Sequence, residues 1–246
     1  MLNFETAHRE RKRKAEMNFA IGAIKPFLKT GTRIQILEFG SGDGYQIPYL
    51  KRLGNVITSD IYVSERSENG TAHVVCDIKD APFASDSFDL VFSNHVLEHI
   101  EDVKKAFAEL KRIGRGDCVY AFAVPTNIWL LLSIPAQAYN ALGKLFKKSR
   151  KARRGDRPEM DLRQRTGWKK VLPVGHGWRE GFMSCFNAFK IGNWKGLFEE
   201  GGFEVMTVDP LLLYAPSEFP IVPTVRLLAN KGLCSSAIFI LKKRYV

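Results

Sequence analysis

The feature that most constrains this chain is a glycine-rich turn directly after an apolar segment. Residues 33–39, RIQILEF, form a nearly continuous apolar run. Three glycines follow at alternate positions: Gly40, Gly42 and Gly44. A buried strand that leads into such a turn is typical of α/β proteins that bind a nucleotide at the strand tip. Glu38 and Asp43 lie in the same stretch, so the turn also carries two carboxylates.

Strands and helices alternate along most of the chain, with short connections. Apolar runs predict seven strands, at 33–39, 55–61, 72–78, within 87–97, and at 118–125, 203–209 and 236–243. Apolar residues three and four positions apart predict helices at 5–28, 45–53 and 101–114, and one that ends at Gly201-Gly202. The strands are apolar almost throughout, which is typical of a parallel sheet with helices on both faces.

The alternation stops after Pro125 and returns near the C-terminal end. Residues 126–187 contain an apolar stretch, a basic run and an aromatic-rich segment. We therefore interpret residues 1–246 as one domain, with an insertion at 126–187 that forms a substrate lid. A second insert, at 210–233, precedes the last predicted strand.

The glycine turn matches neither common phosphate-binding pattern. A dinucleotide-binding turn has its last glycine where this chain has Tyr45, and a Walker loop needs a Gly-Lys-Ser/Thr step. Glu38 and Asp43 would also repel a pyrophosphate, which prefers backbone amides with no acid beside them. The carboxylates instead favour a nucleoside with positive charge, such as S-adenosylmethionine. The glycines would let the backbone approach its amino-acid end closely.

Two segments carry a family resemblance. ILEFGSGDG, residues 36–44, resembles the first motif of class I S-adenosylmethionine-dependent methyltransferases. FASDSFDLVFSNHVLEHIED, residues 83–102, is similar to the region around that family's fourth strand. The resemblance continues more loosely to Pro125 and over 193–209. It implies a Rossmann-like, doubly wound α/β sheet of seven strands, mostly parallel with an antiparallel final strand, and S-adenosyl-L-methionine as cofactor.

The resemblance also implies which residues bind the cofactor. Asp60 closes the second predicted strand, where a carboxylate can accept both ribose hydroxyls, although a turn-forming role is an alternative. Asp77 would accept from the adenine amino group, and the backbone amide of Ile78 would meet the ring. Asn94 and His95 follow the fourth strand, beside the methionine half. The predicted set is Glu38, Phe39, Gly40, Ser41, Gly42, Gly44, Asp60, Ile61, Asp77, Ile78, Asn94 and His95.

Histidines are the natural candidates for a base, which methyl transfer needs only when the acceptor atom must lose a proton. His176 lies between two glycines in VGHGWREGF, so a tight turn would present it to an acceptor. The alternative is a loop histidine bonded to backbone. His95 follows the fourth strand close to the cofactor, whereas His99 is interpreted as structural. We therefore name His176 and His95 as candidate catalytic residues.

Positive charge is concentrated in one segment of the chain. The formal net charge is +11, and residues 144–170 contain 12 Lys or Arg and 3 Asp or Glu, a net charge of +9. The segment is either a solvated loop or a surface for an anionic partner, such as nucleic acid or lipid. The apolar part of 127–154 is too short and interrupted to span a membrane. It fits a lid, or a peripheral contact with a membrane surface.

Three functions are compatible with these patterns. The favoured one is a methyltransferase that acts on a small-molecule, glycan or lipid-linked acceptor, by O-methylation. The second is an RNA methyltransferase that uses 144–170, although few aromatic residues are interleaved there for stacking. The third is an inactive binding protein, against which the intact cofactor residues argue.

The cellular compartment and metal content follow from other features. The first residues lack the apolar stretch of a secretory signal, so we expect a cytoplasmic protein, with the inner membrane surface as a further location. Four dispersed cysteines argue against a zinc site and against a disulfide framework.

Overall fold

The computed structural model describes residues 2–29, 31, 33–62, 71–134, 181–214 and 232–245. The strands are β1 (Ile34–Phe39), β2 (Gly54–Asp60), β3 (Ala72–Val75), β4 (Phe88–Asn94), β5 (Gly114–Pro125), β6 (Phe203–Pro210) and β7 (Ser236–Lys243). The helices are α1 (Leu2–Ile24), α2 (Ile47–Leu50), α3 (Val103–Ile113), α4 (127–134), α5 (Phe182–Ala188) and α6 (Ile191–Glu200). Short 3₁₀ helices lie at Lys25–Phe27, Ile78–Asp80 and Leu97–His99.

All seven strands form one sheet in the order β3-β2-β1-β4-β5-β7-β6. The first five strands in this order, β3, β2, β1, β4 and β5, pair in parallel. Strand β7 runs antiparallel to both of its neighbours, β5 and β6. This confirms the predicted Rossmann-like sheet with its antiparallel final strand. The strand order reverses between β1 and β4, so a crevice forms at their carboxyl ends.

Helices cover both faces of the sheet, as the apolar strands predict. Along β5, Tyr120 and Phe122 pack towards α3 and α6, whereas Ala121 and Ala123 pack towards α1. The apolar cluster on the side of α3 and α6 is rich in aromatic rings. The cluster on the α1 side is mostly aliphatic at its centre and includes Met17 and several other apolar side chains of α1. Two separate apolar layers therefore fix the helices around a central sheet.

The boundaries of several elements differ from those predicted. The helix predicted over 5–28 ends at Ile24, because Pro26 lies in the 3₁₀ turn that follows. The helix predicted over 45–53 is reduced to α2, and β3 stops at Val75 instead of residue 78. The insertion at 126–187 is described only at its ends, where the Asn127 amide donates to the Phe189 carbonyl at 3.0 Å. Residues 135–180 and 215–231 lie outside the described residues.

Two further expectations concern membranes and cysteines. Within the described ranges, no helix is both long enough and apolar enough to cross a bilayer. All four cysteines are free thiols.

Candidate active site

A cavity of about 510 Å³ opens at the carboxyl ends of the first four strands. This is the size range of small-molecule sites. Seven of the predicted residues line it: Phe39, Gly40, Asp60, Ile61, Asp77, Ile78 and His95. The other predicted residues of the cofactor set do not line the cavity: Glu38, Ser41, Gly42, Gly44 and Asn94. The sheet therefore gathers residues from four separate strand ends into one site.

The glycine turn is closely fitted to its neighbours. The backbone amides of Gly40 and Ser41 both donate to the Ser59 carbonyl, at 2.7 and 3.1 Å. Gly40 has a φ of 68°, and a Cβ there would lie 2.3 Å from Cγ2 of Val96. Gly42 also has a positive φ, of 51°, but its Cβ position faces open space. Gly40 is thus required both by conformation and by a neighbouring side chain, whereas Gly42 is required by conformation alone.

Asp60 lies at the end of β2, and its carboxylate is fixed by backbone amides. Its Oδ2 atom accepts from the Gly42 amide at 2.9 Å, and its Oδ1 atom accepts from the Tyr62 amide at 3.2 Å. Each carboxylate oxygen has two lone pairs, so both retain acceptor capacity towards the cavity. A diol is a suitable ligand for this arrangement.

Apolar side chains stand beside these acceptors. Ile61 and Tyr62 are 58% and 73% exposed at the tip of β2, and both line the cavity. Ile78 is buried below them, while Asp77 caps its 3₁₀ helix by accepting from the Lys79 amide at 2.9 Å. This part of the cavity offers a slot for a flat ring with polar groups at its edge.

Unpaired acceptor atoms surround the glycine turn. Both carboxylate oxygens of Glu38 are buried without a hydrogen-bond partner, and so are Oε1 of Gln46 and Oδ1 of Asn94. Burial, together with Asp43 and Asp60, raises the pKa of Glu38 to about 8. Buried acceptors are normally paired, so these atoms suit a ligand that brings donors. A cationic ammonium group meets that requirement, whereas a phosphate does not.

His95 lies in a network that the sequence did not predict. Its Nε2 atom is 3.2 Å from the Tyr214 hydroxyl and 3.7 Å from Oε1 of Glu16, and its Nδ1 atom is 3.4 Å from Oε1 of Glu98. The side chain of His95 is 28% exposed. Glu16 and Tyr214 were missed because they are far away in sequence, on a helix and a loop without any recognisable motif.

Other residues of the site were missed or remain undescribed. The cavity is also lined by residues outside the predicted set, which lie at the strand ends or in the turns that follow them: Ser59, Tyr62, Cys76, Lys79, Val96, Ile100 and Glu101. Their proximity to Asp60, Asp77 and His95 in the sequence is the signal that could have indicated them. His99, interpreted as structural, lines the cavity as well. His176 lies outside the described residues.

Comparison with known proteins identifies the domain. Residues 37–122 match the family model of a methyltransferase domain. A 94-residue stretch is 28% identical to the malonyl-(acyl-carrier protein) O-methyltransferase of Hamiltonella defensa, and the match covers 36% of each protein. The chain thus matches little more than a third of the length of that curated relative.

Solved structures with the same fold cover nearly the whole chain. An S-adenosylmethionine-dependent methyltransferase from Thermotoga maritima aligns with a TM-score of 0.56 at 17% identity, over 98% of each chain. The 1,6-didemethyltoxoflavin-N1-methyltransferase of Burkholderia thailandensis, solved with S-adenosylhomocysteine, aligns with a TM-score of 0.55 at 14% identity. That match covers 99% of this chain and 86% of the other. Residues 37–122 therefore carry a methyltransferase domain, and the described chain has the sheet order and fold of solved S-adenosylmethionine-dependent methyltransferases.

Proposed function

We propose that this chain binds S-adenosylmethionine in the 510 Å³ cavity and transfers its methyl group to an oxygen of a small-molecule, glycan or lipid-linked acceptor. The observation that carries the proposal is the set of unpaired acceptor atoms around the glycine turn, next to the fixed carboxylate of Asp60. Together they suit a ligand with an ammonium group and a ribose diol.

The residues of this chain have distinct binding roles in that proposal. Asp60, already fixed by two backbone amides, would accept from the ribose hydroxyls. Ile61 and Ile78 would hold the adenine ring, with Asp77 at its edge. The carboxylate of Glu38 and the side-chain oxygen of Asn94 would meet the ammonium group. Ionisation of Glu38 would then be favoured by its new partner.

Bound S-adenosylmethionine supplies a methyl carbon already activated by its sulfonium. The chain's own residues therefore need to align the acceptor and keep water out. His95 lines the cavity, and would contact an acceptor bound there. His176 stays a predicted base for an acceptor that must lose a proton.

Oxygen is proposed as the acceptor atom because the curated relative is named as an O-methyltransferase. A small acceptor is supported by the Burkholderia structure, which contains 1,6-didemethyltoxoflavin together with S-adenosylhomocysteine. The RNA alternative rests on residues 144–170, which lie outside the described part of the chain. The membrane contact through 127–154 and the lid at 126–187 stay predictions, because residues 135–180 lie outside the described part of the chain.

The test is the acceptor-dependent formation of S-adenosylhomocysteine by the full chain. We expect formation with hydroxyl- or carboxylate-bearing small molecules, glycans or lipid-linked acceptors, and a much lower rate in the Asp60→Ala variant when S-adenosylmethionine is below saturation. Methyl incorporation into RNA alone would contradict the proposed acceptor class. Absence of S-adenosylmethionine binding by the full chain would contradict the whole proposal.

A further inference from the structure

A buried acid on the first helix lies against the turn that follows β4. The side chain of Glu16 is only 2% exposed, and the Ser236 hydroxyl donates to its Oε1 atom at 2.7 Å. The same oxygen lies 3.7 Å from Nε2 of His95. On the other side of the ring, Nδ1 lies 3.4 Å from Oε1 of Glu98, whose side chain is fully buried. The imidazole of His95 is thus held between two carboxylates from different elements.

The backbone at His95 forms a turn that shapes the cavity wall. His95 has a φ of 57°, in the left-handed region that non-glycine residues rarely adopt, and its amide donates to the Ala123 carbonyl at 2.9 Å. The turn places Asn94 against the Tyr45 hydroxyl and Val96 against Gly40. A contact that holds the His95 ring therefore also holds the residues that meet the glycine turn.

The ring nitrogens of His95 already have partners. Nδ1 faces Glu98, and Nε2 faces Glu16 and the Tyr214 hydroxyl at 3.2 Å. Burial alone lowers the pKa of His95, but the two carboxylates more than offset this effect and raise the pKa to about 9. Neither nitrogen is therefore placed to take a proton from an acceptor near neutral pH.

We propose that Glu16 is a positioning residue of the methyl-transfer site: with Glu98, it holds His95 as an imidazolium in the turn after β4. His95 is then a cation whose charge is balanced by Glu16 and Glu98, and not a free base. The expected effect on turnover rests on the proposed function. The charge state of His95 can be measured without any methyl transfer, so a failure of this proposal can be distinguished from a failure of the proposed function.

Other titratable groups face this cluster from each neighbouring element. The ammonium of Lys12 lies 3.7 Å from the centre of the Tyr214 ring, and burial lowers the pKa of Lys12. Burial and Glu16 raise the pKa of Tyr45 and of Tyr214, so neither phenol becomes charged in the range where His95 titrates. Nε2 of His99 lies 4.0 Å from Oε1 of Glu98. Among these groups, only Glu16 and Glu98 bring negative charge to His95.

The direct test is a nuclear magnetic resonance titration of the full chain labelled with ¹³C in its histidine rings. The His95 signal is identified as the one that is lost in His95→Gln. We expect the ring to stay protonated through pH 8 in the wild type, and Glu16→Gln to lower its midpoint by at least one pH unit. Glu10→Gln changes an exposed acid on the same helix and should leave the midpoint unchanged. A wild-type midpoint near 6.5, or equal midpoints in wild type and Glu16→Gln, would overturn the proposal.

The second readout is the pH profile of turnover with an active acceptor. A fixed imidazolium predicts that His95 contributes no rising limb between pH 6 and 8, and that turnover declines as the pH approaches that at which His95 loses its proton. Glu16→Gln should shift this decline to lower pH, which a purely structural role would not do. A rising limb near pH 6.5 that disappears in His95→Gln would show that His95 is a base and would overturn the proposal.

Discussion

Glu38 is expected to lower the stability of the unliganded protein and to favour cofactor binding. Its carboxylate is 1% exposed and has no hydrogen-bond partner, and burial, Asp43 and Asp60 raise its pKa to about 8 from an ordinary 4.5. The folded protein therefore binds this proton more tightly than the unfolded chain. Between pH 4.5 and about 8, Glu38 is ionised in the unfolded chain but protonated in the folded protein. The free energy of unfolding therefore falls as the pH rises through this range.

Glu38→Gln removes this titration while keeping the side-chain shape. We expect the melting temperature of the variant, relative to wild type, to increase as the pH rises from 5 to 9, in the absence of cofactor. The effect should exceed a few degrees, because each pH unit by which a pKa is raised corresponds to about 1.4 kcal/mol, and about 1 kcal/mol shifts the melting temperature of a chain this size by roughly 2–4 °C. S-adenosylmethionine affinity should fall, since the carboxylate is lost. A pH-independent difference in melting temperature would contradict the assigned environment of Glu38.

Asp60 provides the matching prediction for binding. Asp60→Ala removes the acceptors for the ribose and the partner of the Gly42 amide, so S-adenosylmethionine binding should weaken by on the order of 1–3 kcal/mol. Titration calorimetry measures this loss. Asp117→Ala is the control, because Asp117 is a half-exposed acid near the amino end of β5 and does not line the cavity. Equal affinity in wild type and Asp60→Ala would remove Asp60 from the site.

At the scale of elements, sequence and structure agree best where a pattern is local. β1, β4 and β7 were predicted to within a few residues because each is a continuous apolar run. The ends of α2 and β3 were misjudged because neighbouring residues belong to turns that only the assembled sheet defines. The Tyr214–His95 contact joins residues 119 positions apart, so no local pattern could indicate it. The sequence alone likewise indicates that Glu16 is a surface residue of α1, and only the packing of the helix on the sheet shows that it is buried.

The glycine turn yields a prediction at this scale. Gly40→Ala would place a Cβ 2.3 Å from Val96, in addition to the strain of a positive φ, whereas Gly42→Ala would bear the strain alone. Because the clash involves the wall of the cavity, Gly40→Ala should lose stability and cofactor affinity more severely than Gly42→Ala. Strain of this kind alone costs about 1–3 kcal/mol. Thermal melts and cofactor titration compare the two variants, and equal losses would contradict the close approach of β1 and the turn after β4.

At the scale of the whole molecule, the cluster of Glu16, His95 and Glu98 connects α1 to the sheet. Burial raises the pKa of Glu16, but His95, Lys12 and Ser236 more than offset this and lower it to about 2. Its contribution to stability is therefore present above pH 4.5 and is lost as the pH falls towards 2. The contribution of His95 is complete below pH 6.5 and is lost as the pH rises through about 9.

These two limits predict the pH range in which the interaction of Glu16 with His95 stabilises the folded protein most. The difference in melting temperature between wild type and the Glu16→Gln/His95→Gln double variant should be largest between pH 4.5 and 6.5. It should shrink progressively from pH 6.5 to pH 10, because His95 becomes neutral there in the wild type. Thermal melts across that range measure the difference. A constant difference would show that the residues pack together without a charge interaction.

The central claim is that acceptor atoms around the glycine turn select a cationic adenosine derivative over a phosphorylated one. Calorimetric titration of the full chain with S-adenosylmethionine, and separately with NAD⁺ and ATP, tests it most directly. We expect one molecule of S-adenosylmethionine to bind per chain, and no displacement of it by NAD⁺ or ATP at equal concentration. Binding of NAD⁺ or ATP in competition with S-adenosylmethionine, or in its place, would contradict the claim.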